Sequence, residues 1–235
     1  MRKAKGCEPI EYSKGFCRFL GCKIDLSFKP MIPRLETEFW VKKAIQDINL
    51  PRAKSREKID VLDIFAGSGC IGIAVLKNCP EQCRRAVFSE IDKNLIKQIK
   101  INLKINKINP TCPEQGRGKR YKVIQSDIFK RIKGKYDYIF ANPPYVATSR
   151  KYLVQNSVLD FEPQTAIFAG NDGLFYIKRF LKEAKKHLKN YGKIYLEFDH
   201  FHKGELEKIL PKSGYKNFKF FKDQFKKWRW AEIST

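Results

Sequence analysis

The chain has 235 residues, 43% hydrophobic and 13% aromatic, which suits one packed domain with a small appendage and excludes global disorder. Lys and Arg total 48 against 25 Asp and Glu, a formal charge of +23. Such a field favours polyanionic partners such as RNA or the ribosome, although lysine dispersed through an Ile- and Asn-rich chain is equally the mark of compositional drift. No apolar run is long enough to cross a bilayer and none follows the basic N-terminus, so neither a membrane span nor a secretory signal is expected, and the location expected is cytoplasmic.

In chain order, residues 10–29 alternate in polarity and predict a small hairpin with Gly21 near its turn. A helix is predicted over 38–49, with Val41, Ala44, Ile45 and Ile48 on one face and Thr37 as its cap. From residue 59 strands and helices alternate. Strands are predicted at 59–65, 86–89, 119–125 and 136–141, the third after a flexible Gly116-Arg117-Gly118 loop. Helices fall at 71–76 and 93–106. A helix over 173–188, a strand at 193–198 and a short helix at 205–210 follow, then two closing strands near 217–221 and 227–233. This alternation implies an α/β fold with a doubly wound, mostly parallel sheet and right-handed crossovers.

The seven cysteines, Cys7, Cys17, Cys22, Cys70, Cys79, Cys83 and Cys112, include no C-x-x-C pair. Cys79 and Cys83 have a spacing that could share a zinc, but no second pair completes the ligand set, so free thiols and no metal site are expected. His200 and His202 read as exposed loop residues rather than ligands.

The chemistry-bearing residues sit where predicted strands end. Asp63-Ile64-Phe65-Ala66-Gly67-Ser68-Gly69 turns the first strand of the alternating region into its helix. Two glycines there permit a tight turn and close approach of a ligand to the backbone beside a helix N-terminus. No Gly-Lys-Ser/Thr follows to hold a triphosphate. Glu90 ends the next strand, about 20 residues on, where a carboxylate reaches ribose hydroxyls in nucleotide-binding sheets; Asp92 is better suited to capping the helix behind it. Asp127 follows the third strand and could accept from an adenine amine, with Ile128 against the ring. The fourth strand runs into Asn142-Pro143-Pro144-Tyr145, a loop stiffened by two prolines that leave its carbonyls free.

Taken together, this order resembles class I S-adenosylmethionine-dependent methyltransferases, and the Asn-Pro-Pro-Tyr loop resembles those acting on planar amide or amino nitrogens. Further segments are similar to the HemK/PrmC family, the peptide chain release factor glutamine methyltransferases. They are Glu8-Pro9-Ile10-Glu11-Tyr12-Ser13-Lys14-Gly15, Phe19-Leu20-Gly21, Ile32-Pro33-Arg34-Leu35-Glu36-Thr37-Glu38, Glu162-Pro163-Gln164-Thr165-Ala166 and Gly170-Asn171-Asp172-Gly173-Leu174. The likeness spans nearly all of residues 8–235. It implies a Rossmann-like domain over 51–235 with an N-terminal hairpin and helix over 1–50 packed on it. It also implies S-adenosylmethionine as cofactor and a release factor as protein substrate, methylated at the glutamine amide nitrogen of its Gly-Gly-Gln loop.

By that resemblance Asp63, Phe65, Ala66, Gly67, Ser68, Gly69, Glu90, Asp127, Ile128 and Asn142 hold the cofactor, and Asn142, Pro143, Pro144 and Tyr145 serve catalysis. The Asn142 oxygen and Pro143 carbonyl would accept both N–H bonds of the substrate amide while Tyr145 packs on its plane. The same loop could instead serve glutamine methylation of a ribosomal protein or methylation of a nucleic-acid base, although no base-recognition insertion is visible over 146–192. A catalytically silent RNA-binding protein on the same scaffold is a further alternative, against which the intact Gly67, Gly69, Glu90 and Asn142 argue. The chain departs from the family pattern in four places. By that comparison the usual N-terminal helical domain is not expected in these 235 residues, Leu35 replaces a proline, Glu90 replaces an aspartate, and Phe198-Asp199-His200 replaces small residues.

Overall fold

The computed structural model describes residues 6–50, 58–111 and 119–234. The Gly116-Arg117-Gly118 loop and Cys112 lie outside them. In chain order the strands are β1 (Phe16–Phe19), β2 (Cys22–Asp25), β3 (Ile59–Ile64), β4 (Cys83–Glu90), β5 (Tyr121–Gln125), β6 (Tyr136–Ala141), β7 (Leu188–Glu197), β8 (Asn217–Lys222) and β9 (Trp228–Ser234). The helices are α1 (Ile10–Lys14), α2 (Leu35–Asn49), α3 (Cys70–Asn78), α4 (Lys93–Ile105), α5 (Asn156–Phe161), α6 (Phe175–Ala184) and α7 (Lys203–Lys212).

β1 and β2 form the expected hairpin, closed by Leu20 and Gly21. Among the described residues the main sheet has seven strands in the order β5-β4-β3-β6-β7-β9-β8. β5 to β7 are parallel, and β9 pairs antiparallel with both β7 and β8. The chain passes from β5 at one edge back across to β6, beside β3. The switch point therefore lies between β3 and β6, where an open sheet leaves a crevice at its carboxyl edge. Ile64 pairs with Ala141 there, so the glycine turn and the Asn-Pro-Pro-Tyr loop leave the sheet side by side.

Period-two alternation distributes the central strands between two apolar layers. Val61, Phe88, Tyr138, Phe140 and Tyr195 face a cluster shared with α2, α3 and the hairpin, with Trp40 in its interior. Leu62, Ile64, Val87, Ile139 and Leu196 face the opposite cluster, completed by Ile177 and Phe180 of α6 and Leu206 of α7.

Several boundaries differ from the expectation. α2 starts at Leu35, not residue 38, because Arg34 is extended after Pro33 and the acids Glu36 and Glu38 favour the positive end of the helix. Thr37 is accordingly no cap but a buried residue of the first turn. β4 and β7 are longer than expected, β5 begins at Tyr121, and α6 ends at Ala184 in a short 3-10 turn. His202 is not an exposed loop residue: it is 2% exposed, and its Nε2 lies 3.0 Å from the Asp172 carbonyl oxygen. α1, α5 and the 3-10 segment Thr148–Leu153 carry too little periodicity to be read in advance.

The hairpin is fastened to α4 by a ladder of amides, of which Gln98 and Asn102 are fully buried. Gln98, Asn102 and Asn106 recur every helical turn on one face. Asn106 Oδ1 accepts from Lys23 N at 3.0 Å, Asn102 Oδ1 from Asp25 N at 2.8 Å and Gln98 Oε1 from Phe28 N at 2.9 Å. These side chains satisfy backbone groups of β2 and the following turn that would otherwise be stranded. Asn102 Nδ2 also donates to Ser68 O at 2.9 Å, tying the same ladder to the glycine turn.

Candidate active site

At the switch point lies a cavity of about 300 Å³. Its wall includes Phe65, Ala66, Gly67, Ser68, Glu90, Asp127, Ile128, Asn142 and Pro144, so most of the residues expected from the sequence meet in one place. Four expected site residues do not line it: Asp63, Gly69, Pro143 and Tyr145.

Asp63 stands behind the wall, fully buried, and accepts from Gly72 N at 2.9 Å, which holds the start of α3 against β3. Gly69 caps α3 with φ of +79°, and a Cβ there would press on Ile99 and Ile73 at 3.2–3.3 Å. Both shape the turn rather than touch the space. Burial pushes the Asp63 carboxyl up to about 8, with the Gly72 N–H opposing and Glu90 adding to the rise. Its folded pKa lies above the unfolded one, so the stability it contributes is present below about pH 4 and lost as pH rises through about 8. Asp63→Asn, which can still accept from Gly72, is expected to flatten the fall in unfolding free energy over that window. Urea titrations at several pH values check this, and parallel curves for the two proteins would refute it.

Glu90 is 7% exposed and holds three backbone amides: Gly67 N at 2.8 Å on Oε2, and Ile91 N at 2.8 Å and Asp92 N at 2.9 Å on Oε1. A carboxylate offers about four acceptor sites, so one remains for a hydroxyl in the cavity. Asp92 caps α4, accepting from Asn94 N at 2.7 Å. Burial raises the Glu90 pKa against the pull of the three amides. Ile91, Leu95 and Ile128 supply an apolar wall beside it. Asp127 lines the cavity but is not wholly available to a ligand, because its Oδ2 pairs with Arg179 at 2.8 Å.

The far wall comes from two segments that the reading of strand ends did not assign to the site. Phe28, Lys29, Met31, Pro33 and Thr37 close the cavity from the N-terminal side, and Pro163, Thr165 and Ala166 close it beyond α5. The two are clamped together by buried Glu162, which accepts from Arg34 Nη2 at 2.6 Å and from Ile32 N at 3.2 Å. The signal for both segments was the family resemblance of residues 32–38 and 162–166, which carried no geometry.

Beneath Asn142 lies a buried polar cluster centred on Glu197, 1% exposed at the end of β7. Its Oε2 accepts from Thr37 Oγ1 at 2.7 Å and Trp40 Nε1 at 2.6 Å, and its Oε1 from the Tyr145 hydroxyl at 2.9 Å. Asn142 Nδ2 donates to Thr37 Oγ1 at 3.3 Å. Tyr145 is thus anchored inward by its phenol rather than standing on the cavity wall. Burial and the neighbouring Glu197 hold that phenol protonated, well above the usual tyrosine range.

The loop is braced from outside as well. Val146 N donates to Ile167 O at 2.9 Å, and Ala169 N donates back to Val146 O at 3.0 Å. Gly173, with φ of +77°, packs so close that a Cβ would sit 2.4 Å from Tyr145 O. That contact explains why the Gly170–Leu174 turn accompanies the Asn-Pro-Pro-Tyr loop.

Residues 48–160 match the family described as "Methyltransferase small domain". The release factor glutamine methyltransferase of Thermodesulfovibrio yellowstonii is 32% identical over 219 residues, covering 92% of this chain and 72% of that protein. The chain belongs to the release factor glutamine methyltransferase family. A second member, from Flavobacterium psychrophilum, is 29% identical over 217 residues, with coverage of 92% and 72%.

The fold agrees with that membership. The hMettl16 catalytic domain, solved in complex with the MAT2A 3'UTR hairpin 6, superposes with a TM-score of 0.66 at 18% identity, covering 92% of this chain and 76% of that one. At that identity the likeness concerns the fold alone, a class I methyltransferase sheet with a small N-terminal hairpin added. Among the described residues no helix is long and apolar enough to cross a membrane.

The cavity fits S-adenosylmethionine, the cofactor of this methyltransferase family. It has the features such a cofactor calls for: a buried carboxylate with a spare acceptor site, an apolar wall, and backbone at Ala66 and Gly67 open to close approach. Glu90→Ala is expected to weaken cofactor binding by about 1–3 kcal/mol, since it removes an acceptor and frees the Gly67 amide it holds. Calorimetric titration measures it; an unchanged dissociation constant would remove Glu90 from the cofactor site.

Proposed function

We infer that this release factor glutamine methyltransferase family member transfers a methyl group from S-adenosylmethionine to the side-chain amide nitrogen of the glutamine in a release factor's Gly-Gly-Gln loop. The observation that carries the reading is that one cavity is walled both by Glu90 with the glycine turn and by Asn142. A nucleotide-type ligand and a planar amide would therefore meet inside a single enclosure.

An amide nitrogen is a weak nucleophile because its lone pair is shared with its carbonyl. When bound, S-adenosylmethionine supplies an electrophilic sulfonium methyl group. The protein's task is to align the nitrogen and to favour the positive charge that grows on it. In this reading Asn142 Oδ1, on the cavity wall, accepts one N–H of the substrate amide, and the Pro143 carbonyl, which lies outside that wall, takes the other once the substrate has docked against the loop. The two acceptors turn the nitrogen lone pair toward the methyl and stabilise the N–H dipoles as charge develops. The N–C bond would form as the S–CH3 bond breaks with its electron pair passing to sulfur, and the nitrogen would then shed one proton to water to regain its neutral, planar state. Pro143 is buried and Pro144 lines the cavity, so neither can swing away as the substrate docks.

In this reading residues 1–50 are an N-terminal unit packed on a methyltransferase domain over 51–235, a division supported by the clamps from Arg34, Thr37 and Trp40 into the later chain. The +23 charge assists docking by contact with the ribosome or RNA that surrounds the substrate, in a cytoplasmic setting. The test is transfer of labelled methyl from S-adenosylmethionine to purified release factor, to its Gln→Ala loop variant and to total RNA, in parallel. Label on the release factor and not on the variant supports the reading. Label on RNA alone would move the substrate to a base and overturn it.

A further inference from the structure

The catalytic carboxamide has two ends, and only one suits the reaction. A substrate amide nitrogen brings two N–H donors, so Asn142 must present its oxygen to the cavity and not its NH2. The hydrogen-bond inventory beneath it decides which end faces out. A carboxylate only accepts, an indole N–H only donates, and a hydroxyl has one proton to give. Glu197 takes the Trp40 N–H, the Tyr145 hydroxyl proton and the Thr37 hydroxyl proton. Thr37, its only proton committed, can do nothing toward Asn142 but accept. Asn142 therefore turns its Nδ2 to Thr37, at 3.3 Å, and Oδ1 away from it. The groups that set the direction are buried: Thr37 and Glu197 are each 1% exposed and Trp40 is fully enclosed, so water does not compete for the Thr37 proton, while Asn142 itself is half-buried at the cavity.

We propose that Glu197 and Thr37 are positioning residues that set the polarity of Asn142, the carboxylate ordering the hydroxyl and the hydroxyl ordering the carboxamide so that its acceptor end meets the substrate. The inference rests on the reading of Asn142 given above. Without the Thr37 hydroxyl nothing distinguishes the two ends of the carboxamide. Half the population would then present NH2 to the substrate's N–H groups, donor against donor, and the remainder would be free to swing. Tyr145, tied to the other oxygen of the same carboxylate, makes both ends of the catalytic loop depend on one buried charge.

The decisive variant is Thr37→Val, which keeps the shape and removes the hydroxyl, with Thr37→Ser as its rescue. Five quantities are read on each: melting temperature, calorimetric cofactor affinity, kcat and KM on the release factor, and the side-chain NH2 resonances of Asn142 in a 15N-labelled sample. Those resonances are assigned by their absence from Asn142→Asp. Thr37→Val is expected to lower kcat by ~10–100-fold, the scale of misaligned reacting groups. KM and cofactor affinity should stay within about threefold, and the Asn142 NH2 pair should shift and exchange faster with solvent. Thr37→Ser should restore both rate and resonances.

A wild-type kcat in Thr37→Val, or unmoved NH2 resonances, overturns the proposal. So does a loss of rate that Thr37→Ser shares in full. If the unmodified protein does not methylate the release factor, the functional reading fails on its own, and the resonances still decide the polarity: movement in Thr37→Val upholds it, invariance overturns it. Should Thr37→Val not fold, Glu197→Gln carries the same resonance test, because a glutamine cannot accept from all three donors at once.

Discussion

Asn142→Ala is expected to lower kcat by on the order of 10²–10³ while leaving S-adenosylmethionine affinity within a few-fold of the parent. The asymmetry follows from where the side chain sits. Asn142 leaves β6 on one side of the glycine turn and Glu90 leaves β4 on the other, so the carboxylate with its three amides is separated from Asn142 by the β3 strand end. Asn142 Nδ2 is bound to Thr37, so the group lost to a ligand is the oxygen. Alanine leaves Pro143 and Pro144 to keep the loop's course. The substrate amide would then be held through one acceptor in place of two, free to rotate out of line with the methyl. Single-turnover transfer, set beside calorimetric titration of the cofactor, separates the two effects. An equal loss in affinity and turnover would mean that Asn142 serves the cofactor and not the substrate.

Trp40→Ala is expected to cost about 3–5 kcal/mol of stability, a large part of the 5–15 kcal/mol that usually holds a domain together. The indole is fully buried, stacked 6.3 Å from Phe140 and 6.2 Å from Tyr195 between centroids. These neighbours belong to β6 and β7, so the residue joins α2 to the centre of the sheet. Its Nε1 also satisfies Glu197 at 2.6 Å, and alanine leaves that buried carboxylate with two donors instead of three. Trp40→Phe keeps most of the packing and removes only the N–H, so about 1–2 kcal/mol of the loss should remain in it. Urea unfolding of the three proteins measures both steps. A loss below about 1 kcal/mol in Trp40→Ala would mean that residues 1–50 fold apart from the sheet, and the packing of that unit on 51–235 would have to be given up.

Much of the cofactor end of the site was legible in the residues. β3, β4, β5 and β6 announce themselves as short apolar runs, and the positions where those runs break carry Gly67, Glu90, Asp127 and Asn142. In a parallel sheet all such breaks fall on one edge, so reading strand ends in order is enough to bring these four onto one cavity. The neighbours in that turn were harder to sort. Asp63 and Gly69 belong to the same motif as Gly67, yet one points behind the wall and the other packs on α4; a shared motif does not say which side of a turn faces a ligand.

The other half was decided by tertiary structure. Glu197 and Thr37 are 160 positions apart, Trp40 and Glu197 157, and Arg34 and Glu162 128. No local pattern encodes such partners. A Thr three residues after a proline-arginine pair reads as a helix cap until packing buries it, and a Tyr after two prolines reads as an open wall until a carboxylate from β7 draws its hydroxyl inward. His202 was misplaced for the same reason: its short 3-10 turn reads as a loop, and the His202 ring alone is buried there because Asp172 and Gly173 close over it. By itself, then, the sequence determined the alternation of strands and helices, the fold class, and the sheet edge that carries the cofactor residues, because these follow from polarity along the chain, whereas the spatial order of the strands came from the fold. The substrate side, including which end of Asn142 faces outward, was decided only when the fold brought a buried carboxylate, a hydroxyl and a carboxamide into contact, since a hydrogen bond's direction depends on all of its partners at once.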